Sequence, residues 1–247
     1  MDKNILEQTF KLVKSCGGII KNADRKSIDI KEKPGLANFV TSYDLLVQNK
    51  LKDGLRLLFP NVLFIGEEGE QESFNEFGEY FIVDPIDGTT NFIKDYHMSC
   101  ISVAHVVDEI VDFAIIYNPY LEELFWAVRG EGAYCNDERI HVSEQPLSNG
   151  IVLFGSSPYN IELARKSFDM AYEYFLSALD IRRSGSAALD LCAIAAGRAE
   201  LYFELILCPW DYAAGMLLVQ EAGGIVTTLD GEKPALNRKS SILARNK

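Results

Sequence analysis

The pattern of apolar and polar positions divides the chain into helices and strands. Apolar residues recur every three or four positions over residues 4–22 and again over 44–58, which predicts two amphipathic helices. Shorter apolar runs, bounded by glycine, proline and polar residues, predict strands. The strands predicted in the first part of the chain cover residues 62–65, 80–83, 99–107, 110–117, 123–128 and 139–142. Residues 23–38 carry neither pattern and are interpreted as irregular.

A polar stretch with one proline, residues 143–149, follows these strands and predicts a subdomain boundary. We expect an N-terminal α+β subdomain over residues 1–145 and a C-terminal α/β subdomain over 146–247, joined in one compact unit. The elements predicted after the boundary are strand 151–155, helix 160–177, strand 180–182, helix 186–197, strand 199–203, helix 211–222 and strand 224–228. A strand-rich middle with helices on both sides predicts α+β layers instead of a doubly wound parallel sheet.

The composition is typical of a soluble globular protein. The 247 residues are 48% hydrophobic, enough for a sizeable core. The longest apolar runs are far shorter than the roughly 20 residues of a membrane span, so no membrane partner is expected. The polar N-terminus leads into the first predicted helix, and we expect no signal peptide. Five cysteines without a Cys-x-x-Cys pair favour reduced thiols, and these features together predict a cytoplasmic protein.

The net charge of −12 argues against a nucleic-acid partner, because nucleic-acid phosphates are bound by basic surfaces. An anionic small molecule would require metal ions that neutralise the local acidic groups. The three histidines, His97, His105 and His141, lack the paired spacing of zinc ligands and are interpreted as structural residues. Metal coordination by oxygen atoms alone is therefore favoured.

The most informative segment follows the apolar run 80–83. Asp84 and Asp87 lie where this predicted strand ends, and Gly88 allows the backbone to turn. Thr89 begins a predicted helix, whose free N–H groups favour an anion. Mg²⁺ binds one or two carboxylates together with phosphate oxygens of a substrate. Metal ligands and an anion site in one short segment indicate phosphoryl chemistry.

Carboxylates recur at three other places where a strand ends or a helix begins. Glu67 follows the strand 62–65, and Asp44 lies at the start of the second helix. Asp211 is expected to be the N-cap of a largely buried helix. Each carboxylate alone is explained by helix capping or by a solvated turn. Together they indicate cations, because uncompensated buried carboxylates are strongly unfavourable.

Four segments of the chain match a known set of sequence signatures in the same order. The two long segments are residues 81–92, FIVDPIDGTTNF, and residues 210–224, which begin WDYAAG and end EAGG. The two short segments are GEE at 66–68 and VT-x-x-D at 40–44. Together they resemble the signatures of the inositol monophosphatase family. The resemblance covers about residues 33–231. It implies the layered αβαβα sandwich shared with fructose-1,6-bisphosphatase, Mg²⁺-dependent and lithium-sensitive phosphatase activity, and a homodimer.

The same resemblance assigns catalytic roles. It implies two to three Mg²⁺ ions and an activated water, without a phosphorylated enzyme. The implied ligands are Glu67, Asp84 and the Ile86 carbonyl for the first ion, and Asp84, Asp87 and Asp211 for the second. A third ion would lie near Glu67, held mostly by waters. Asp44 and Thr89 are implied to orient and deprotonate the attacking water, so the implied catalytic residues are Asp44, Thr89 and Glu67.

A substrate site is also implied. Lys33 matches the family's basic position near the phosphate, and the backbone N–H groups of Gly88 and Thr89 would bind that phosphate. Glu204 matches an acidic residue that accepts hydrogen bonds from inositol hydroxyls. Arg183 is interpreted either as a ligand of a second phosphate or as a surface residue. The other residues implied to line the alcohol pocket are Ser156, Gly185, Ser186 and Ala187.

We therefore predict hydrolysis of a sugar or polyol phosphomonoester, with myo-inositol 1-phosphate as the first choice of substrate. Fructose 1,6-bisphosphate, 3′-phosphoadenosine phosphates and NADP are alternative substrates that would share the metal site. A regulatory binding protein of the transcription machinery is an alternative of another class, favoured by a degraded metal set or a basic patch. The intact acidic set and the negative net charge favour catalysis. Residues 205–208 are more apolar than the loop typical of the family, so sugar contacts are not expected there.

Overall fold

The structure, a computed structural model, describes residues 2–33, 39–69, 78–158 and 160–247. The helices in these ranges are α1 Lys3–Lys21, α2 Ser42–Leu58, α3 Thr89–Ile93, α4 Ile161–Phe175, α5 Ala187–Ala195 and α6 Pro209–Glu221, with a 3₁₀ turn at Leu147–Asn149. The strands are β1 Ile30–Glu32, β2 Phe39–Thr41, β3 Leu63–Gly66, β4 Glu79–Asp87, β5 Cys100–Val107, β6 Ile110–Asn118, β7 Glu123–Val128, β8 Gly132–Cys135, β9 Glu138–Ile140, β10 Ile151–Phe154, β11 Asp180–Arg182, β12 Leu201–Leu207, β13 Ile225–Thr227 and β14 Ser240–Arg245.

Strands β3 to β9 form a seven-stranded sheet in chain order. The β3–β4 pair is parallel and every later neighbour is antiparallel. Side chains of β4 alternate between the two faces of this sheet, as the two-residue period of a strand requires. Phe81 and Val83 belong to the apolar cluster formed with α1 and α2, whereas Tyr80 and Ile82 belong to the cluster formed with α5 and α6. The sheet is therefore covered by helices on both faces.

The second sheet has five strands in the order β11-β10-β12-β14-β13. Strand β10 is parallel to β11 and to β12, and β14 is antiparallel to its neighbours. Leu153 and Tyr202 pack toward α5 and α6, while Val152, Phe154 and Phe203 form an outer cluster with residues of α4. The order of layers is α1 and α2, seven strands, α5 and α6, five strands, and α4. The predicted αβαβα sandwich is confirmed.

Several element bounds differ from the sequence-based prediction. Strand β14, residues 240–245, was not predicted, because its run of apolar residues is short and its partner β12 lies about 40 positions earlier. Part of the predicted irregular stretch 23–38 is strand β1, which pairs with β2, and residues 34–38 lie outside the described ranges. Strand β8, which begins at Gly132, was not predicted either. Each error concerns a short strand that is specified by its partner across a sheet.

The two sheets lie on opposite sides of the predicted boundary at 143–149. Helices α5 and α6 pack between both sheets, and this arrangement favours a single folding unit. The division into subdomains 1–145 and 146–247 stays a prediction. In the described part of the chain, every helix is too short or too polar to cross a bilayer.

Candidate active site

The centre of the site is the end of β4. This strand continues to Asp87, four residues beyond the predicted end, and its pairing with β5 is irregular between Asp84 and Asp87. Gly88 then adopts a left-handed conformation with φ of +87°, immediately before α3. A Cβ atom at Gly88 would lie 2.8 Å from the carbonyl oxygen of Met98, so this position requires glycine. The irregular strand end and the turn bring both aspartates to one edge of the sheet.

Three carboxylates converge at this edge. Asp84, Asp87 and Asp211 each offer an oxygen within 4.8 Å of the others. Asp211 lies in the first turn of α6 and accepts a hydrogen bond of 2.7 Å from the backbone N–H of Cys208. The N-cap of this helix is Cys208, so the prediction that Asp211 is the N-cap was wrong by three positions. The prediction that α6 is largely buried is confirmed.

Burial and the convergence of negative groups raise the pKa values of these carboxyls. Burial, followed by repulsion from Glu67, Asp87 and Asp211, holds the pKa of Asp84 well above its usual range. Burial, followed by repulsion from Glu67 and Asp87, does the same for the pKa of Asp211. Deprotonated carboxylates this close together require a cation, and a hard cation prefers oxygen ligands. The chemistry and spacing of these donors therefore fit Mg²⁺, and Asp84, Asp87 and Asp211 are the candidate ligands.

Glu67 lies at the end of β3 and lines the same cavity. Lys33 does not line the cavity; its Nζ lies 2.9 Å from Oε1 of Glu67 and 2.5 Å from Oε1 of Glu68. Burial lowers the pKa of Lys33, but attraction to the two glutamates outweighs it and raises the pKa overall. Lys33 thus neutralises the acidic wall behind the site, and contact with a phosphate remains a prediction.

Asp44 and Thr89 lie on adjacent elements. Asp44 is completely buried in the first turn of α2, where its carboxylate accepts hydrogen bonds from the backbone N–H of Thr41 at 2.8 Å and from Thr41 Oγ1 at 2.5 Å. Its other oxygen, Oδ1, accepts a long contact of 3.4 Å from Thr89 Oγ1. Burial raises the pKa of Asp44 to about 6. Thr89 lines the cavity and Asp44 lies behind it, so Asp44 reaches the cavity through Thr89.

The carboxylates open onto a cavity of about 210 Å³. The predicted site residues that line it are Glu67, Asp84, Ile86, Asp87, Gly88, Thr89, Arg183, Gly185, Ser186, Ala187, Glu204 and Asp211. Lys33, Asp44 and Ser156 lie behind this lining. One chamber therefore contains most of the residues that the sequence assigned separately to metal, phosphate and alcohol.

Ser186 has a contact that the sequence did not predict. Its hydroxyl donates a short hydrogen bond to Oδ2 of Asp87, which also accepts one of 2.8 Å from the backbone N–H of Ala188. Burial raises the pKa of Asp87 to about 6 against these two hydrogen bonds. The start of α5 thus orients one of the candidate metal ligands. Arg183 lines the cavity and its Nε donates to Ser156 Oγ at 2.9 Å, so Ser156 supports Arg183 from behind.

Glu204 lies within β12, not in a loop, because this strand continues four residues beyond the predicted end. Its carboxylate is buried and accepts three hydrogen bonds: from the N–H and the hydroxyl of Ser157, both at 3.0 Å, and from the hydroxyl of Tyr202 at 2.8 Å. Burial raises the pKa of Glu204, although these hydrogen bonds act to lower it. A Cβ atom on Gly155 would lie 1.9 Å from Glu204 Oε2, so glycine leaves the space for this carboxylate.

Some residues of the site, or the contacts that they make, were missed by sequence reasoning. Asp190, on α5, lines the cavity, and Tyr202 and Ser157 hold Glu204. Asn91 also lines the cavity, and its amide donates to the carbonyls of Met98 and Ser184 at 2.7 and 3.0 Å, which joins α3 to the segment before α5. Asn91 lies inside the first signature and was detectable. The contact of Ser157 with Glu204 carries no local signal, because the two residues lie 47 positions apart.

Comparisons with known proteins agree with this geometry. The sequence profile of the inositol monophosphatase family matches residues 1–247. The Nus factor SuhB of Escherichia coli K12 is 35% identical over 229 residues, which are 92% of this chain and 86% of that protein. The solved structure of the extragenic suppressor protein SuhB from Bartonella henselae has a TM-score of 0.93 at 31% identity, over 99% of this chain and 95% of that one.

Two similar structures contain ligands. An IMPase/NADP phosphatase complexed with Mg²⁺ and phosphate has a TM-score of 0.88 at 25% identity, over 99% of this chain and 91% of that one. SaIMPase-II bound to inositol monophosphate has a TM-score of 0.83 at 26% identity, over 99% and 89%. The profile match, the identity above 30% and the shared sandwich all lead to one assignment. The chain belongs to the inositol monophosphatase family.

Proposed function

We propose that this protein hydrolyses the phosphate ester of a sugar or polyol, with Mg²⁺ as its cofactor. The observation that carries the proposal is the convergence of Asp84, Asp87 and Asp211, whose oxygens lie within 4.8 Å of one another beside a cavity of about 210 Å³. Membership of the family and a solved relative with Mg²⁺ and phosphate support it. When bound, Mg²⁺ neutralises phosphate charge and acts as a Lewis acid toward the ester.

We assign two to three Mg²⁺ ions to the site. Asp84, Asp87 and Asp211 would hold one ion, and Glu67 and the carbonyl of Ile86 would join Asp84 around another. The hydrogen bonds from Ser186 and Ala188 hold Asp87 in place before a metal arrives. Preorganised ligands lose little freedom on binding, which favours a hard ion with strict geometry.

The remaining residues would position phosphate and water. The backbone N–H groups of Gly88 and Thr89 are assigned to the phosphate, since both residues line the cavity where the chain turns. Thr89 would orient the attacking water through its hydroxyl, and Asp44 would take up a proton through Thr89, because the two side chains are adjacent. Phosphoryl transfer needs mainly positioning and charge neutralisation, which these groups supply.

For the alcohol portion, a polyol is favoured over an apolar group. Glu204 Oε2 accepts one hydrogen bond from Tyr202, which leaves an acceptor position for a substrate hydroxyl. The backbone of Gly185 and Ala187 and the guanidinium of Arg183 line the same wall. Myo-inositol 1-phosphate is the first choice, supported by the solved relative bound to inositol monophosphate. The guanidinium of Arg183 is also suited to bind a second phosphate of a substrate. Fructose 1,6-bisphosphate, 3′-phosphoadenosine phosphates and NADP are therefore the alternative substrates.

The test is phosphate release from a panel of these esters by purified protein, with Mg²⁺ and with a chelator. We expect turnover that requires Mg²⁺ and is lost in Asp84→Asn, whereas the exposed Asp230→Asn keeps wild-type rates. Turnover that persists after chelation, or that is equal in both variants, would contradict the metal assignment. The preferred ester then identifies the substrate class.

A regulatory role in transcription is a second candidate, because the 35% identical relative from Escherichia coli is named a Nus factor. Binding of the wild-type protein and of Asp84→Asn to purified transcription complexes tests it. Equal binding by both would support a role that is independent of catalysis, and absence of binding would contradict it. We also propose a cytoplasmic homodimer, as the family resemblance and the reduced cysteines suggest.

A further inference from the structure

Two tight turns meet in the lining of the cavity. Residues 87–89, called here the phosphate turn, contain Gly88, and residues 184–187, called here the alcohol turn, contain Gly185. Both glycines adopt left-handed conformations, with φ of +87° and +86°. A Cβ atom on Gly88 would lie 3.3 Å from the carbonyl oxygen of Gly185, so the two backbones approach as closely as glycine permits. The spacing of the turns therefore decides whether one ester can contact both.

Asn91 lies between the two turns. Its half-buried side chain, on α3, lines the cavity. Its Nδ2 donates hydrogen bonds to the carbonyl oxygens of Met98 at 2.7 Å and of Ser184 at 3.0 Å, which uses both hydrogens of the amide. A Cβ atom on Gly185 would lie 3.1 Å from this nitrogen, so the alcohol turn packs directly on the amide. We propose that Asn91 is a positioning residue, which holds the alcohol turn in register with the phosphate turn.

The alcohol turn and the start of α5 make the reciprocal contact. Ser186 Oγ and the backbone N–H of Ala188 both donate to Oδ2 of Asp87, in the phosphate turn. The two bridges differ in their acceptors, because Asp87 is a candidate metal ligand, whereas Asn91 donates to neutral carbonyl groups. The bridge from Asn91 is therefore independent of the charge at the metal site. It can be removed without changing a candidate metal ligand, which makes its role testable by itself.

The phosphate turn has further supports of its own. Phe92, the residue after Asn91, is completely buried, and its N–H donates to the carbonyl of Gly88 at 3.0 Å. Thr89 Oγ1 donates to the carbonyl of Ile86 at 3.2 Å. Loss of the Asn91 amide should therefore displace the alcohol turn more than the phosphate turn. On the proposed phosphatase function, on which this inference rests, the loss impairs esters whose alcohol contacts the alcohol turn and spares those bound through the phosphate.

The first experiment compares Asn91→Asp with wild type in the turnover of myo-inositol 1-phosphate and of an aryl phosphate without hydroxyls, both with Mg²⁺. Aspartate has the same shape, but it replaces the two donors by an acceptor that faces carbonyl oxygens. We expect kcat/KM for the inositol ester to fall roughly 30- to 100-fold, mostly in kcat, as for a misplacement of about 1 Å. For the aryl ester it should fall less than about threefold.

Asn246→Asp is the matched control, since its Nδ2 also donates to a distant carbonyl, that of Gln145 at 2.7 Å, outside the cavity. It should leave both rates unchanged. Asn91→Ala removes the donors without adding a charge, and it should show the same loss of selectivity. Circular dichroism checks that each variant is folded. A parallel fall with both esters, or wild-type selectivity in both variants of Asn91, would overturn the proposal.

The second experiment requires no turnover. Hydrogen exchange of the full chain, followed by mass spectrometry, reports on peptides that cover the alcohol turn and the start of α5. Asn91→Asp should speed exchange there roughly tenfold, since the N–H groups of Ser186 and Ala188 are held within this contact, while exchange in α1 stays the same. Unchanged exchange in the alcohol turn would overturn the proposal. Faster exchange together with a wild type that cleaves neither ester would support the positioning role and contradict the proposed phosphatase function.

Discussion

The cavity has two acidic regions, in which buried carboxylates are stabilised in different ways. At the end of β4, Asp84 accepts a hydrogen bond of 2.9 Å from the N–H of Ile86, and its pKa is raised by burial and by Glu67, Asp87 and Asp211. Elsewhere in the lining of the same cavity, Glu204 is also buried but accepts three hydrogen bonds from Ser157 and Tyr202.

The difference separates a metal site from a substrate wall. A buried carboxylate that accepts several hydrogen bonds is stable without a cation, whereas carboxylates that face one another are not. The region around Asp84 therefore requires a cation for its full negative charge. The region around Glu204 is complete in the protein alone, and it offers the substrate a rigid acceptor. The same residue type can thus be assigned to two roles from its neighbours.

The largest expected effect comes from Asp84→Asn. Loss of a ligand to two ions should lower kcat/KM at least about 1,000-fold, since a metal supplies several kcal/mol to the transition state. Isothermal titration should show Mg²⁺ affinity falling with it. In metal-free buffer the same variant should melt at a higher temperature than wild type, because one repelling charge is gone. A lower melting temperature would show that the protein itself compensates the charge of Asp84. That result would contradict the comparison between the two acidic regions.

Asp44→Asn separates water activation from metal binding. Asp44 lies behind Thr89 and outside the cavity lining, so Mg²⁺ affinity should stay close to wild type. Turnover should fall on the order of 100-fold, the lower range for loss of a positioned base. Isothermal titration with Mg²⁺ and steady-state kinetics on the same preparation test whether Asp44 acts in water activation and not in metal binding. Asp53→Asn, an exposed change on the same helix, should alter neither. Equal loss of affinity and kcat would assign Asp44 to the metal.

Glu204→Gln tests the substrate wall. Losing charge-assisted hydrogen bonds to ring hydroxyls costs roughly 1.5–3 kcal/mol, or about 10- to 150-fold in kcat/KM for inositol phosphate. An aryl phosphate without hydroxyls should be turned over at nearly the wild-type rate. Glu200→Gln is the control, since Glu200 is also buried and accepts from the N–H of Ile151 at 2.6 Å, outside the cavity. A parallel loss of activity with both substrates would show that Glu204 does not take part in substrate recognition.

Mg²⁺ should stabilise the protein only through the acidic region around Asp84. A ligand at 100 times its Kd adds about 2.7 kcal/mol to the free energy of unfolding, which for this length raises Tm by about 5–10 °C. We expect this rise in wild type and in Glu204→Gln, but not in Asp84→Asn, by differential scanning calorimetry with and without chelator. A rise in all three proteins would place the stabilising ion elsewhere.

Lithium should have the smallest effect, which rests on the family resemblance. Millimolar Li⁺ should inhibit turnover uncompetitively by occupying the position held by Asp84, Asp87 and Asp211, while equal Na⁺ leaves the rate unchanged. Initial rates against substrate at several Li⁺ concentrations measure this. Full activity at high Li⁺ would show that these three ligands form a site with a different ion preference.

The part of the site that local spacing predicted is nearly contiguous in the chain. Asp84, Asp87, Gly88 and Thr89 follow one another, and an apolar strand before them leaves few conformations for the turn. Helix α1 was predicted to within one residue at each end, because its apolar positions recur with the helical period. Local spacing was sufficient in both cases, since the residues that determine the structure are neighbours.

Other features depended on residues far apart in the chain. Strand β14 forms by pairing with β12, and that pairing also places Glu204 in a strand beside Tyr202. The predicted strand ended at residue 203, just before Glu204, because the run 205–208 has no period that separates a strand from an apolar loop.

The amino-acid sequence by itself determined the family and the acidic set at the end of β4, because both are carried by motifs within short segments, and the αβαβα layers were implied by the resemblance to that family. The tertiary structure alone decided which carboxylates repel one another and which are satisfied by hydrogen bonds. Charge balance and burial depend on distances between segments, and those distances exist only in the folded chain.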